Sequence, residues 1–278
     1  MKMDGKTVLI TGSTDGVGRC VAARLAADGA KVLIHGRDKA RAKTLADEIR
    51  GRGHDAPIFY QADLSSLAGA RQLAEAVTAD HKRLDVFISN AGIGSRTLGS
   101  ERRTSAEGHE LRFAVNYLSG FLLTYLLLPL LKASAPSRII NVASLGQHPL
   151  DFDDVMLAKG YSGTRAYAQS KLAQIMFTFT LAERLAAEEA GVTVNALHPA
   201  SLMNTKMVYE SFGYTMSTVE DGVEATLRLA ISPDLDGVSG RYFDRLHEAR
   251  AGEQAYDEDA RLRLWRLSEE LAARPART

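Results

Sequence analysis

From its first residues the chain alternates short apolar runs with longer stretches of helical period, and this alternation decides the fold class. "KTVLIT" (6–11) reads as a buried strand, followed by a glycine-rich turn and an amphipathic helix near 17–28. "AKVLIHG" (30–36) is a second strand, ahead of a helix that starts at Asp38 and ends in glycines. A third strand, "APIFYQAD" (56–63), precedes a helix over about 66–81, and a fourth, "LDVFISNAG" (84–92), runs into a loop. A long helix at about 107–133 leads to a fifth strand, "SRIINVAS" (137–144). After a polar stretch from 145 to 163 come a helix over about 164–190 and a sixth strand, "VTVNALHP" (192–199). "GRYF" (240–243) is a short seventh strand, and a last helix lies in "DEDARLRLWRLSEELAA". Strands that are apolar throughout and separated by helices predict a parallel sheet covered on both faces. The expected architecture is one α/β domain over 1–278, doubly wound, with a seven-stranded, mainly parallel sheet. Its ligand belongs outside the carboxyl ends of the strands.

The balance of charge and the sparse cysteine narrow the function classes. Lys+Arg and Asp+Glu are both 34, so neither nucleic acid nor an anionic membrane is expected as the main partner. With one cysteine, Cys20, an intrachain disulfide is impossible, and a reducing cytoplasm is the expected location. The seven histidines form no close Cys/His cluster, so no metal site is expected. "MKMDGKTVLITG" offers no apolar run of signal or anchor length, and no membrane anchor is expected. "FAVNYLSGFLLTYLLLPLL" (113–131) approaches a membrane span in length, but Asn116, Ser119 and Pro129 interrupt it. It reads as a helix buried on most faces.

Two short patterns carry chemistry. "TGSTDGVG" (11–18) follows the first strand and opens the first helix. Gly12, Gly16 and Gly18 allow a tight turn in which backbone N–H groups approach a pyrophosphate, with Ser13, Thr14, Asp15 and Val17 completing the cradle. Glycines also end strands for packing reasons alone. Tyr167 and Lys171 lie one helical turn apart, so an ammonium there would lower the phenol's pKa and ready it for proton transfer. Chance pairing on a helix surface is the plain alternative.

Together with these, further residues extend a resemblance along most of the chain. "SNAG" (89–92), Asn116, Ser144, Tyr167-x-x-x-Lys171 with Ser170, and "HPA" (198–200) occur in order on the expected elements. The set resembles the short-chain dehydrogenase/reductase superfamily, with Ala200 where the family's Pro-Gly motif has glycine. "YAQSKLAQIMF", the acidic "DFDD" and "LWRLSEEL" are similar to retinol-dehydrogenase-like members, as is the 23-residue interval from Ser144 to Tyr167. The resemblance implies a Rossmann-type fold, a nicotinamide cofactor and four catalytic residues. Tyr167 would be the general acid and base, and Lys171 would tune it and bond the nicotinamide ribose. Ser144 would hold the substrate oxygen, and Asn116 would hold a water that relays protons. Asn90, Ala91, Gly92 and Pro199 are implied to face the cofactor, Asp63 with Leu64 to meet the adenine, and Thr205 the carboxamide. Asn204 sits nearer the place expected for that last contact.

Arg37, just past the second strand, decides between the two dinucleotides. A guanidinium there suits a 2′-phosphate, whereas an acidic residue would select NAD(H). NADP(H) is therefore expected over NAD(H), with Asp38 capping the next helix and Asp15 the one opposing sign. The expected function is an NADP(H)-dependent carbonyl reductase or alcohol dehydrogenase acting on an apolar small molecule. An NAD-dependent alcohol dehydrogenase and a non-catalytic NADP(H)-binding regulator are the alternatives. Met203, Met207, Tyr209, Phe212, Tyr214 and Met216 make 200–219 a candidate substrate lid, and 244–278 is read as a helical extension. The helices at 107–133 and 164–190 are surfaces that relatives use for dimers, and a homodimer through them stays open.

Overall fold

Each strand sends alternate residues to opposite layers, and both layers are apolar. In β1 (Thr7–Ile10), Leu9 packs on one side of the sheet and Val8 and Ile10 on the other. β2 (Lys31–Gly36) separates Leu33 from Val32 and Ile34, and β4 (Val86–Ser89) separates Phe87 from Val86 and Ile88. Both faces therefore need helices. One is covered by α1 (Gly16–Ala27), α2 (Lys39–Gly51) and α6 (Val219–Ile231). The other is covered by α3 (Leu67–Asp80), α4 (Ser119–Ala133), α5 (Gly163–Ala187) and α7 (Glu258–Ala273). The computed structural model describes residues 3–95, 101–205, 208–209 and 213–273.

The sheet is completed by β3 (Ile58–Gln61), β5 (Ser137–Val142), β6 (Val192–His198), β7 (Tyr242–Asp244) and β8 (His247–Glu248). Its order is β3-β2-β1-β4-β5-β6-β7-β8, parallel except for β8 against β7. The fold class is the expected one, with eight strands rather than seven. β8 is a two-residue return after Arg245 at φ 54°, too short to leave an alternating pattern. Strand order reverses between β1 and β4, the point outside whose carboxyl ends sheets of this kind bind their ligands.

Polar caps set where most helices begin. Asp38 accepts from the Ala40 and Arg41 N–H groups, Ser66 from Gly69 and Ser162 from Arg165. Two helices also differ from the sequence reading. The helix expected from 107 begins only at 111, passing through a π turn at Phe113–Leu118 into α4. Residues 104–110 instead form a bridged turn with Gly108 at φ 87°, which frees Glu107 to accept the Leu67 N–H that opens α3 (2.8 Å). The second difference is α6, which the sequence reading left unassigned. Thr218 and Asp221 cap it reciprocally.

The stretch Phe113–Ala133 is long and apolar enough for a membrane span, yet 67% of its most apolar window is buried in the fold. α7 lies over its seam with α5. Trp265 stacks 5.5 Å from Phe121 and 5.8 Å from Phe177, and the Tyr117 and Ser268 hydroxyls meet at 2.6 Å. The extension thus packs against the outer side of both helices expected at a dimer contact.

Candidate active site

The loops after β1 and β4 are tied into one unit. Asn90 Nδ2 donates to the carbonyls of Thr11 (2.8 Å) and Gly12 (3.1 Å), and the Thr11 hydroxyl accepts from the Asn90 and Ala91 N–H groups. Gly12, at φ 64°, must be glycine: a Cβ would fall 2.9 Å from Ala91 Cα. Gly18 is equally crowded, by Asn90 Nδ2 and the Gly12 carbonyl at 2.6 Å. So the glycines bring backbone against backbone, and Asn90 spends its amide holding the turn.

His35, which the sequence reading passed over, fixes the turn from below. Its Nδ1 accepts the Gly12 N–H (3.2 Å), its carbonyl accepts the Ser13 N–H (2.9 Å), and its Nε2 lies 3.2 Å from the Ala62 carbonyl. An acceptor at Nδ1 requires the neutral ring with its proton on Nε2. Burial agrees, drawing the ring's pKa down to about 4. A histidine inside an apolar strand was the available signal.

At the amino end of α1 the first N–H groups have no intrahelical acceptor. Asp15 takes one of them, accepting from Gly16 at 2.9 Å, while its other oxygen pairs with Arg41 at 2.6 Å. Asp15 is therefore a cap neutralised by a cation, which removes the objection its sign raised. Arg37, Lys39 and Arg41 line one open depression with Asp38, Ala40 and Gln61 beside the carboxyl ends of β2 and β3. Thr14 packs its side chain on Gly36, where a Cβ would meet it at 2.6 Å. Asp63 is exposed and makes an Asx turn to the Ser65 N–H (2.9 Å), and the Leu64 side chain is in the core.

The candidate catalytic side chains come from three elements and converge. Ser144 lies two residues past the end of β5, in the loop and not on the strand end where its pattern put it; it is buried and hydrogen-bonded to Tyr167, and its Oγ accepts from the Gly146 N–H (3.1 Å). Tyr167 and Lys171 lie one turn apart on α5, with Nζ 5.7 Å from the ring centroid. Lys171 donates to the Val142 carbonyl (2.8 Å) and to Gln174 Oε1 (2.9 Å), another partner not anticipated. Asn116 grips both backbone groups of Ile93 and donates to Ser170 Oγ (3.0 Å), which in turn donates to the Tyr167 carbonyl (2.7 Å). Gly92 brings its backbone close to both Asn116 and Lys171: a Cβ there would touch them, 3.4 Å from Asn116 Oδ1 and 3.8 Å from Lys171 Nζ.

One expectation is corrected by this geometry. The ammonium faces the Tyr167 ring and is spent on two acceptors. The phenol is pushed up by burial, and only the Ser144 hydrogen bond draws it down. Burial without a counter-ion lowers Lys171 itself to about 7. His198, also lowered by burial, bonds Ser201 Oγ at 3.0 Å. Pro199 follows it at the end of β6.

The Thr205 methyl carbon approaches Gly16, 3.7 Å from a built Cβ, while Asn204 Oδ1 accepts the Val219 N–H that opens α6. Of the two, Thr205 is the one beside the glycine turn. In the candidate lid, Tyr209, Tyr214 and Met216 are exposed, and Met207 and Phe212 lie outside the described residues. Among the described residues no group of His, Cys, Asp or Glu is placed to hold a metal.

The residues fit a dinucleotide: a glycine cradle closed against Ala91, a helix amino end, and a glycine at 92 whose missing side chain would touch Asn116 and Lys171. The family model of short chain dehydrogenases matches residues 6–213. The chain belongs to that family. It is 38% identical to retinol dehydrogenase 14 of Mus musculus, over 96% of this chain and 86% of the mouse protein. Among solved structures, an uncharacterised protein from Mycobacterium paratuberculosis superposes with a TM-score of 0.80 at 27% identity, covering 99% and 96% of the two chains. A short chain dehydrogenase from Shigella flexneri, complexed with NADP, gives 0.72 at 25% identity over 88% and 98%. This chain is thus a retinol-dehydrogenase-like oxidoreductase of the short-chain family, with a nicotinamide cofactor.

Proposed function

We propose that this short-chain dehydrogenase uses NADP(H) to interconvert a carbonyl and an alcohol on an apolar small molecule. The observation that carries the reading is the meeting of Ser144, Tyr167 and Lys171 beside Gly92. When bound, the nicotinamide supplies the hydride in reduction and accepts it in oxidation. Tyr167 gives its hydroxyl proton to the substrate oxygen as the hydride reaches the carbonyl carbon, and takes it back in the reverse direction. Ser144 donates to that oxygen while negative charge grows there. Lys171, with a pKa lowered to about 7 by burial, lies against the Tyr167 ring, its ammonium held by the Val142 carbonyl and Gln174.

Arg37 and Lys39 support the choice of NADP(H), because both border one open depression at the adenosine end, where Arg41 is already paired with Asp15 and Asp38. The retinol dehydrogenase relatives and the exposed Leu145, Tyr209, Tyr214 and Met216 support an apolar substrate. Fluorescence titration should show NADPH binding at least tenfold tighter than NADH, with the difference abolished in Arg37→Ala, the loss of one charge-assisted contact. Equal binding of the two would overturn the cofactor choice. Tyr167→Phe should bind NADPH as the wild type does and lose reductase activity, and retained turnover would overturn the chemistry.

A further inference from the structure

The carbonyl of Ser144 is held by side chains from outside the helix that carries Tyr167. Tyr242, buried on β7, donates its hydroxyl to that carbonyl at 3.1 Å. Gln147 Nε2 donates to the same oxygen at 3.0 Å and also hydrogen-bonds the Tyr242 hydroxyl. The amide of Gln147 is itself oriented, because its Oε1 accepts the Gly252 N–H at 2.6 Å. Gly252 sits close against this bond, since a Cβ would fall 3.2 Å from that oxygen and 3.3 Å from Leu172, a tight fit in which both side chains would have to shift slightly. Two residues further on, Gln254 bonds Leu150 twice, accepting its N–H at 2.7 Å and donating to its carbonyl at 3.0 Å.

The segment after β5 is therefore stitched at three points to residues 242–254, all beyond the 6–213 stretch matched by the family model. Ser144 is free to turn about its own backbone unless that backbone is fixed. Two donors on one carbonyl, the buried Tyr242 hydroxyl and the half-buried Gln147 amide, fix it, and the Ser144 hydroxyl is then aimed at Tyr167. We propose that Tyr242 and Gln147 are positioning residues for Ser144, supplied and oriented by the carboxyl-terminal segment. Neither touches the reacting atoms; they act through Ser144. This rests on Ser144 and Tyr167 being the reacting pair proposed above.

The test is a double-mutant cycle read with NADPH and nonanal as probe substrate, together with hydrogen–deuterium exchange of residues 143–148 without cofactor. Tyr242→Phe removes one oxygen and little volume. It should lower kcat about tenfold, the size of one net hydrogen bond, with NADPH affinity unchanged and exchange at 143–148 faster. Gln147→Met should do the same. In a Ser144→Ala background, Tyr242→Phe should cost nothing further, because residues that act as one unit are not additive. An equal loss in both backgrounds, or wild-type kcat in Tyr242→Phe, would overturn the proposal and leave Tyr242 a packing residue. If the wild type reduces no nonanal, the proposed reaction loses support. Exchange then decides the positioning, and unchanged protection at 143–148 in both variants would refute it.

Discussion

His35 is a base kept neutral by its surroundings, and its protonation would set a second N–H against the Gly12 N–H that Nδ1 now accepts. Its pKa in the fold, about 4, lies below the ordinary value of 6.5. A group depressed on folding contributes stability that is fully present above the unfolded value and is lost as pH falls toward the folded one. The loss here falls between pH 6.5 and about 4 and sums to about 3 kcal/mol. Chemical denaturation across that window should show the decline in the wild type and a flatter profile in His35→Asn, which keeps an acceptor near Nδ1. Parallel profiles would show that other groups govern acid unfolding. Gly92 makes the complementary case, where a small change touches chemistry and not stability. A methyl there meets Asn116 Oδ1 at 3.4 Å and Lys171 Nζ at 3.8 Å, ordinary contact distances that need little rearrangement. Gly92→Ala should keep its unfolding free energy within the range of a neutral substitution, about 0.5 kcal/mol, and lose roughly tenfold in kcat. A variant with wild-type kcat would mean the space between the two side chains serves no step.

At the scale of elements, what the sequence revealed depended on how far each signal extends along the chain. Strands of four or more apolar residues and helices with a capping Asp or Ser announce themselves locally, and β1 to β6 lie where their patterns put them. Of the candidate catalytic residues, Tyr167 and Lys171 were legible because they share a short spacing that a single helix imposes. What escaped was set by contacts distant in sequence. Glu107 reads as helix because glutamate favours one, yet it caps α3 from 40 residues away. Asn116 sits in a π turn, where one extra residue per turn shifts the side-chain face so that it reaches both backbone groups of Ile93. Tyr242 and Gln147 carry no motif at all. Their role comes from β7 joining the sheet beside β6, with Ala196 opposite Tyr242.

For the whole molecule, α7 decides what the outer face of α4 and α5 can do. The helix is amphipathic, and it buries Leu264, Trp265, Ser268 and Leu271 against that face. Trp265 is the anchor. It lies against Phe121 and Phe177, the Arg184 guanidinium stacks 3.8 Å from its ring, and its Nε1 donates to Glu269 at 2.8 Å. Arg71 on α3 adds a bond to the Ala272 carbonyl at 2.6 Å, so the helix spans three elements of one layer. A second copy docking through the α4/α5 seam would have to displace all of this. Emptying the Trp265 site should cost about 3–5 kcal/mol, the range for large aromatic residues replaced by alanine, and denaturant unfolding of Trp265→Ala measures it. That cost exceeds what a modest helix-face contact returns after the loss of free motion on association. Sedimentation equilibrium of the full chain should therefore give the mass of a single 30.2 kDa polypeptide at micromolar concentration. If a dimer forms instead, Tyr125, 59% exposed on α4 outside the area α7 covers, is the side chain to test, because Tyr125→Glu would disrupt a contact there and leave the α7 packing intact. A dimer indifferent to Tyr125→Glu and lost in Trp265→Ala would show that α7 builds the interface instead of blocking it.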